Sequence, residues 1–151
     1  MLVETDDEAL LVLLQDEVTK KEAFRLILNK YQQKIYYFLR RMSLGHDDAG
    51  ELLQDVFIEF WKTLNTRQAD EALNIILYRL GAKSCLSYLQ KCTIKTLREL
   101  TAEQQLCIVL KEQEEFDFRE IAQIMSMPVN MIRHRFYTAI GEIYQQQTIK
   151  K

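Results

Sequence analysis

The 151-residue sequence predicts an all-α protein, and three observations carry that expectation. Glycine and proline are scarce, with four and one in the chain. Apolar residues recur at steps of three and four, and short polar caps precede the apolar runs. So few turn formers leave hairpins and glycine-rich phosphate loops poorly supplied. A content of 48% hydrophobic and 28% charged residues suits one ordinary core or two small ones. No apolar run approaches the roughly 18 residues that a membrane span needs. The acidic start, Met1 to Asp7, lacks the basic opening of a signal peptide. A cytoplasmic protein with no membrane insertion is therefore expected. Cys85, Cys92 and Cys107 form neither an even set nor a CxxC pair, and read as small buried hydrophobes in a reducing compartment.

Seven helices follow in order. A short first helix is expected after Thr5, boxed by Glu8, over the run Ala9 to Leu14. The second follows Thr19, boxed by Glu22, with Phe24, Ile27, Tyr31, Ile35, Phe38 and Met42 as its buried stripe and Gly45 as a left-handed cap. The third, from about Asp47 to Thr63, buries Ala49, Leu52, Leu53, Val56, Phe57 and Phe60 and turns Asp48, Glu51, Asp55 and Glu59 to other faces. The fourth, from about Asp70 to Lys91, carries Leu73, Ile76, Leu77, Leu80 and Leu89 and is expected to bend near Gly81. A compact trihelical unit then begins. Thr101 boxed by Gln104 opens one helix, Asp117 boxed by Glu120 the next, and Pro128 marks the start of the last.

The net charge of -2 hides a segregation along the chain. Residues 46–61 hold five acidic and no basic residues, whereas residues 62–98 hold seven basic and two acidic. Residues 18–45 and 128–151 are also basic, and residues 1–17 and 99–127 acidic. Two basic blocks set between acidic ones suggest two anionic contacts.

From Phe118 to Phe136 the pattern is a helix, a three-residue turn and a second helix, a helix-turn-helix arrangement. Small Ala122 permits close helix approach, and Val129, Ile132 and Phe136 face the core. Asn130, Arg133, His134 and Tyr137 then lie on the other face, with Arg135 to one side. Arg can fork to guanine and Asn to adenine, so these five residues are the candidate duplex-DNA contacts. Only His46 and His134 are available as histidines, no HExxH or phosphate loop occurs, and no cysteine has an activating neighbour. No catalytic residue, metal ligand or cofactor site is expected.

Taken together, the two halves resemble the extracytoplasmic-function (ECF) class of bacterial sigma factors, over about Asp7 to Tyr144. The stretch Asp48-Ala49-Gly50-Glu51-Leu52-Leu53-Gln54-Asp55-Val56-Phe57-Ile58-Glu59-Phe60-Trp61 is similar to that family's D-A-E-D-L-x-Q-E-x-F-x-x-x-W signature. The resemblance implies that Asp48, Glu51, Leu52, Gln54, Asp55, Glu59 and Trp61 grip the clamp helices of core RNA polymerase. An acidic helix suits a basic coiled-coil partner. The stretch Leu77 to Leu89 is similar to the family segment that opens and reads the -10 element, which implies -10 contacts at Tyr78, Arg79, Lys83, Tyr88 and Lys91. Rings that stack on extruded bases beside cations that meet the backbone fit single-stranded DNA. The unit from Leu100 to Ile143 is similar to region 4, which places the helix-turn-helix on the -35 element.

Residues 1–91 are thus expected to form a region 2 domain, 92–99 a linker and 100–151 a region 4 domain. Departures from the family pattern fall at Ile76, Lys83, Ser87 and Thr138, where Trp, Asn, Asp and Arg are usual. The six residues Cys92 to Leu97 span at most roughly 20 Å, less than one duplex turn of about 34 Å. Two readings follow: a sigma factor that directs core polymerase to promoter DNA, with an anti-sigma protein as a further candidate partner, or a sigma-like regulator that no longer melts promoters.

Overall fold

The computed structural model describes residues 6–42, 44–64, 71–91 and 100–149, and every described element is helical. In order these are α1 (Asp7–Leu13), α2 (Lys20–Arg41), α3 (His46–Lys62), α4 (Leu73–Lys91), α5 (Ala102–Ile108) with a π-helical turn over Val109–Gln113, α6 (Phe118–Met125) and α7 (Val129–Ile149). The chain divides into two compact units, Met1–Gly81 and Ala82–Lys151, with the division falling inside α4. The sequence-based linker 92–99 lies outside the described residues.

In the first unit, α2 is the central rod. Its stripe Ala23, Ile27, Tyr31, Ile35 and Phe38 is buried at helical spacing. Helix α1 closes against it through Asp7, whose carboxylate accepts from both Lys30 Nζ at 2.5 Å and the Tyr31 hydroxyl at 2.5 Å. Burial first, and then that carboxylate, hold the Tyr31 phenol above its ordinary range. Helix α3 packs Ala49, Val56, Phe57 and Phe60 against α2, and Phe24 stands at the centre of the aromatic contact. Its ring lies 6.4 Å from Phe57, 6.2 Å from Phe60 and 5.0 Å from Trp61. Leu52 and Leu53, expected in the core, are only half-buried.

Several sequence-based expectations are corrected in this unit. Asp6, not Thr5, caps α1, its carboxylate accepting from Ala9 N at 2.8 Å; Thr5 lies outside the described residues. The Thr19–Glu22 box does not form. Thr19 has helical backbone angles, its hydroxyl donates to the Leu13 carbonyl at 2.7 Å, and Glu22 is taken by Arg25. Gly45 is not a left-handed cap of α2 but the extended N-cap of α3, with φ at -69°. Helix α4 runs through Gly81 without interruption. That glycine serves close packing, since a Cβ there would meet the Phe38 ring at 3.3 Å.

In the second unit both expected capping boxes form. Thr101 accepts from Gln104 N at 3.1 Å while Gln104 returns to Thr101 N at 3.0 Å. Asp117 and Glu120 do the same at 2.8 and 3.0 Å. Leu106, Cys107, Leu110, Ile121, Ile124, Ile132, Phe136 and Ala139 make the core. The turn between α6 and α7 is Ser126-Met127-Pro128, with Ser126 in the left-handed region at φ 55° and Pro128 O accepting the first bonds of α7. A left-handed serine is strained where glycine is not. The variant Ser126→Gly should therefore be more stable by about 1 kcal/mol. Urea unfolding checks this: the midpoint should rise without a change of slope.

Candidate nucleic-acid and partner interfaces

Three surfaces hold the candidate residues. The first is the outer side of α3. Glu51, Asp55 and Glu59 follow one another at four-residue steps and are exposed, with half-buried Asp48 and Leu52 beside them. Among the described residues, no cation pairs with Glu51, Asp55 or Glu59. Like charges one turn apart disfavour the helix by about 0.2–0.5 kcal/mol per pair, so this stripe carries a cost that the fold itself does not relieve.

Gln54 and Trp61, grouped by sequence with that stripe, lie elsewhere. They line a groove of about 850 Å³ between α2 and α3, floored by Phe24, Leu28, Leu53 and Phe57. Lys20 caps the Trp61 ring at 4.9 Å, and Lys21 and Lys62 stand on the groove wall. Ile58, 52% exposed, extends the apolar floor outward. The groove was not foreseen from sequence. An apolar residue on the polar side of an acidic helix was its one signal.

The second surface is α4. Tyr78 is only 4% exposed and packs its ring on Phe38 at 5.1 Å, which makes it a core residue. Arg79 is ion-paired with Glu71. Lys83 is exposed and Tyr88 half-buried; Lys91 ends the helix, its side chain outside what the structure describes. Among the candidates whose side chains are described, Lys83 is thus the cation that stands exposed, whereas Arg79 is held in its ion pair. Ile76, in the position where the family pattern has Trp, is buried.

The third surface is α7. Asn130, Arg133, His134 and Tyr137 are exposed and, at steps of three and four, share one side of the helix; Tyr137 is 62% exposed. Arg135 points away from this set. Its guanidinium pairs with Glu103 of α5 at 2.5 Å, tying the first helix of the unit to the last. Sequence periodicity put Arg135 to one side but did not reveal its partner.

The cysteines are chemically quiet. Burial pushes the Cys85 thiol up to about 12 and Cys107 up to about 11, so both are protonated near neutral pH. Cys92 lies outside the described residues. Among the described residues no helix is long and apolar enough to cross a membrane.

Comparison with known proteins places these surfaces in context. A family model for sigma-70, region 4 matches residues 90–141. The chain is 22% identical over 180 residues to an ECF RNA polymerase sigma-E factor of Haemophilus influenzae, covering 92% of this chain and 94% of that protein. It is 21% identical over 160 residues to the factor of the same name from Escherichia coli, covering 79% and 83%. Among solved structures, CnrH in complex with the cytosolic domain of CnrY superposes with a TM-score of 0.76 at 18% identity, over 96% of this chain and 99% of that one. The sigma factor RpoE in complex with the anti-sigma factor NepR from Bartonella quintana gives 0.66 at 17% identity, over 85% and 98%. The two structures share the fold.

The Arg135–Glu103 pair is about one-third exposed at each end, so solvent screens it. Arg135→Ala should lower the stability of the chain by no more than about 1 kcal/mol. Chemical denaturation of the variant beside the parent protein checks this, and a larger loss would mean that the pair holds more than α5 to α7.

Proposed function

We propose that the chain is a sigma factor of the ECF class of the sigma-70 family, which directs bacterial core RNA polymerase to specific promoters by docking through α3 and reading DNA through α4 and α7. The observation that carries this reading is the exposed acidic stripe Glu51, Asp55 and Glu59, with which no cation among the described residues pairs. Three carboxylates held in line by a buried apolar face are suited to a basic helical partner that supplies each with a counter-charge. Asp48 and Leu52 extend the contact, and Gln54 and Trp61 approach it from the groove side.

For DNA, the division of labour follows the two ends of the chain. We assign polymerase docking and the -10 element to residues 1–91, the -35 element to residues 100–151, and the connection to residues 92–99. On α7, Asn130, Arg133, His134 and Tyr137 offer an amide, cationic and aromatic surface of the kind that reads a major groove. Arg135 supports that surface from behind through Glu103. On α4, exposed Lys83 and half-buried Tyr88 are the -10 contacts, while Tyr78 and Arg79 hold the helix in place through Phe38 and Glu71. The reading requires no catalytic group, and it places the protein in the cytoplasm with polymerase.

The groove favours a second role for the same chain, as the target of an anti-sigma protein. Its apolar floor and its rim of Lys20, Lys21 and Lys62 fit a helix with apolar anchors and flanking carboxylates. Such a partner would lie beside the acidic stripe and compete with polymerase for α3.

Transcription from promoters selected by the reconstituted holoenzyme tests the main reading. Core polymerase with this chain should give promoter-specific transcripts that core alone does not. Binding to core without any such transcript would establish the other reading, a sigma-like regulator that does not melt promoters.

A further inference from the structure

We infer that Lys111 and Arg133, held on the ring of Phe118, form a clamp for the backbone phosphates of duplex DNA. The inference rests on the DNA-binding reading of the second unit and adds to it two residues outside the recognition helix, Lys111 and Phe118.

The clamp begins with the backbone of α5. The helix does not end as an α-helix but widens into a π-helical turn, in which Glu114 N donates to Val109 O at 3.0 Å. One extra residue per turn re-aims every side chain that follows by about 100° from the direction an unbroken α-helix would give. Lys111 lies within this turn, and its ammonium sits 5.2 Å from the centre of the Phe118 ring. Such turns are frequent at functional sites because they cost hydrogen-bond geometry that packing alone rarely repays.

Arg133 reaches the same ring from α7, with its guanidinium carbon 5.8 Å from the centre. The ring itself is fixed: Phe136 packs on it at 5.5 Å and Tyr137 at 6.0 Å. Two cations from separate elements therefore converge on one packed aromatic ring, which orders two long side chains before any ligand arrives.

A second pair of cations on one ring shows the contrast. Lys30 and Lys34 lie over Tyr31, but there Asp7 takes Lys30 at 2.5 Å, and the arrangement closes on itself. At Phe118 it stays open. No carboxylate among the described residues lies within ion-pair distance of Lys111 or Arg133, including Glu112 and Glu115, which follow Lys111 in sequence. The ring meets each cation with its π-face and satisfies none of the N–H donors, which remain for an anion. Arg133 also belongs to the exposed α7 set with Asn130, His134 and Tyr137, so an anion held here would flank a duplex seated on that helix.

The test measures binding of the full-length chain to a fluorescent duplex of mixed sequence across a salt series. K111A and R133A should each reduce the slope of log affinity against log salt by about 0.9, the value for one lost phosphate contact. F118L should weaken binding about tenfold, and F118Y should restore it. A merely structural Phe118 would alter thermal unfolding and leave the salt slope unchanged. If F118L fails to fold, K111A decides alone, because Lys111 lies outside the core. A parental slope and affinity in K111A, with R133A reduced, would overturn the clamp and leave the DNA-binding reading standing. No binding by the parent chain would overturn both.

Discussion

The packing of α3 on α2 is the interaction on which the first unit depends. Phe24 of α2 meets Phe57, Phe60 and Trp61 of α3, and burial of this aromatic cluster fixes the rotation of α3 about its own axis. Burying large aromatic side chains is worth about 1.5–3 kcal/mol each, far more than the repulsion along the acidic stripe costs. Once the apolar side is set, the period of 3.6 residues leaves Glu51, Asp55 and Glu59 no place but solvent. The same geometry opens the groove lined by Leu53, Gln54, Ile58 and Trp61 one strip further round. The core face and the acidic stripe are thus two sides of a single helix.

The second unit applies a different device, the fixing of helix ends. Two capping boxes start α5 and α6, and left-handed residues, Glu115 and Ser126, end the segments before the next turn. These local bonds set where α6 stops and α7 begins. The ion pair between Glu103 and Arg135 then ties α5 to α7, so that the exposed side of α7 stands on a braced scaffold. For the duplex reading proposed for α7, such bracing is an advantage, because less side-chain and backbone freedom is lost when a ligand binds.

Much of this was legible in the sequence, and the physical reason is the same in each successful case. The α2 stripe, the boxes at Thr101 and Asp117, and the three-residue turn before α7 are short-range features written in consecutive residues. What escaped depended on competing partners for the same group or on backbone choices with no residue signature. Thr19 has the sequence of a cap, but the Leu13 carbonyl claims its hydroxyl and Arg25 claims Glu22. Gly45 suits a left-handed end, yet the chain needs an extended residue there to start α3. Tyr78 reads equally as a base-stacking ring or a core ring, and only its contact with Phe38 separates the two. The π turn that carries Lys111 has no sequence pattern at all.

The central claim is that the acidic stripe of α3 exists for a basic partner. Its most direct test is the dissociation constant of the full chain for core RNA polymerase, measured across ionic strength for the parent protein and for E51Q/D55N. The double variant removes two charges without changing side-chain shape, and relief of repulsion should leave the free chain as stable as the parent or slightly more so. Binding should nevertheless weaken by at least about tenfold and lose part of its salt dependence. An unchanged affinity and salt response in a folded double variant would contradict the claim.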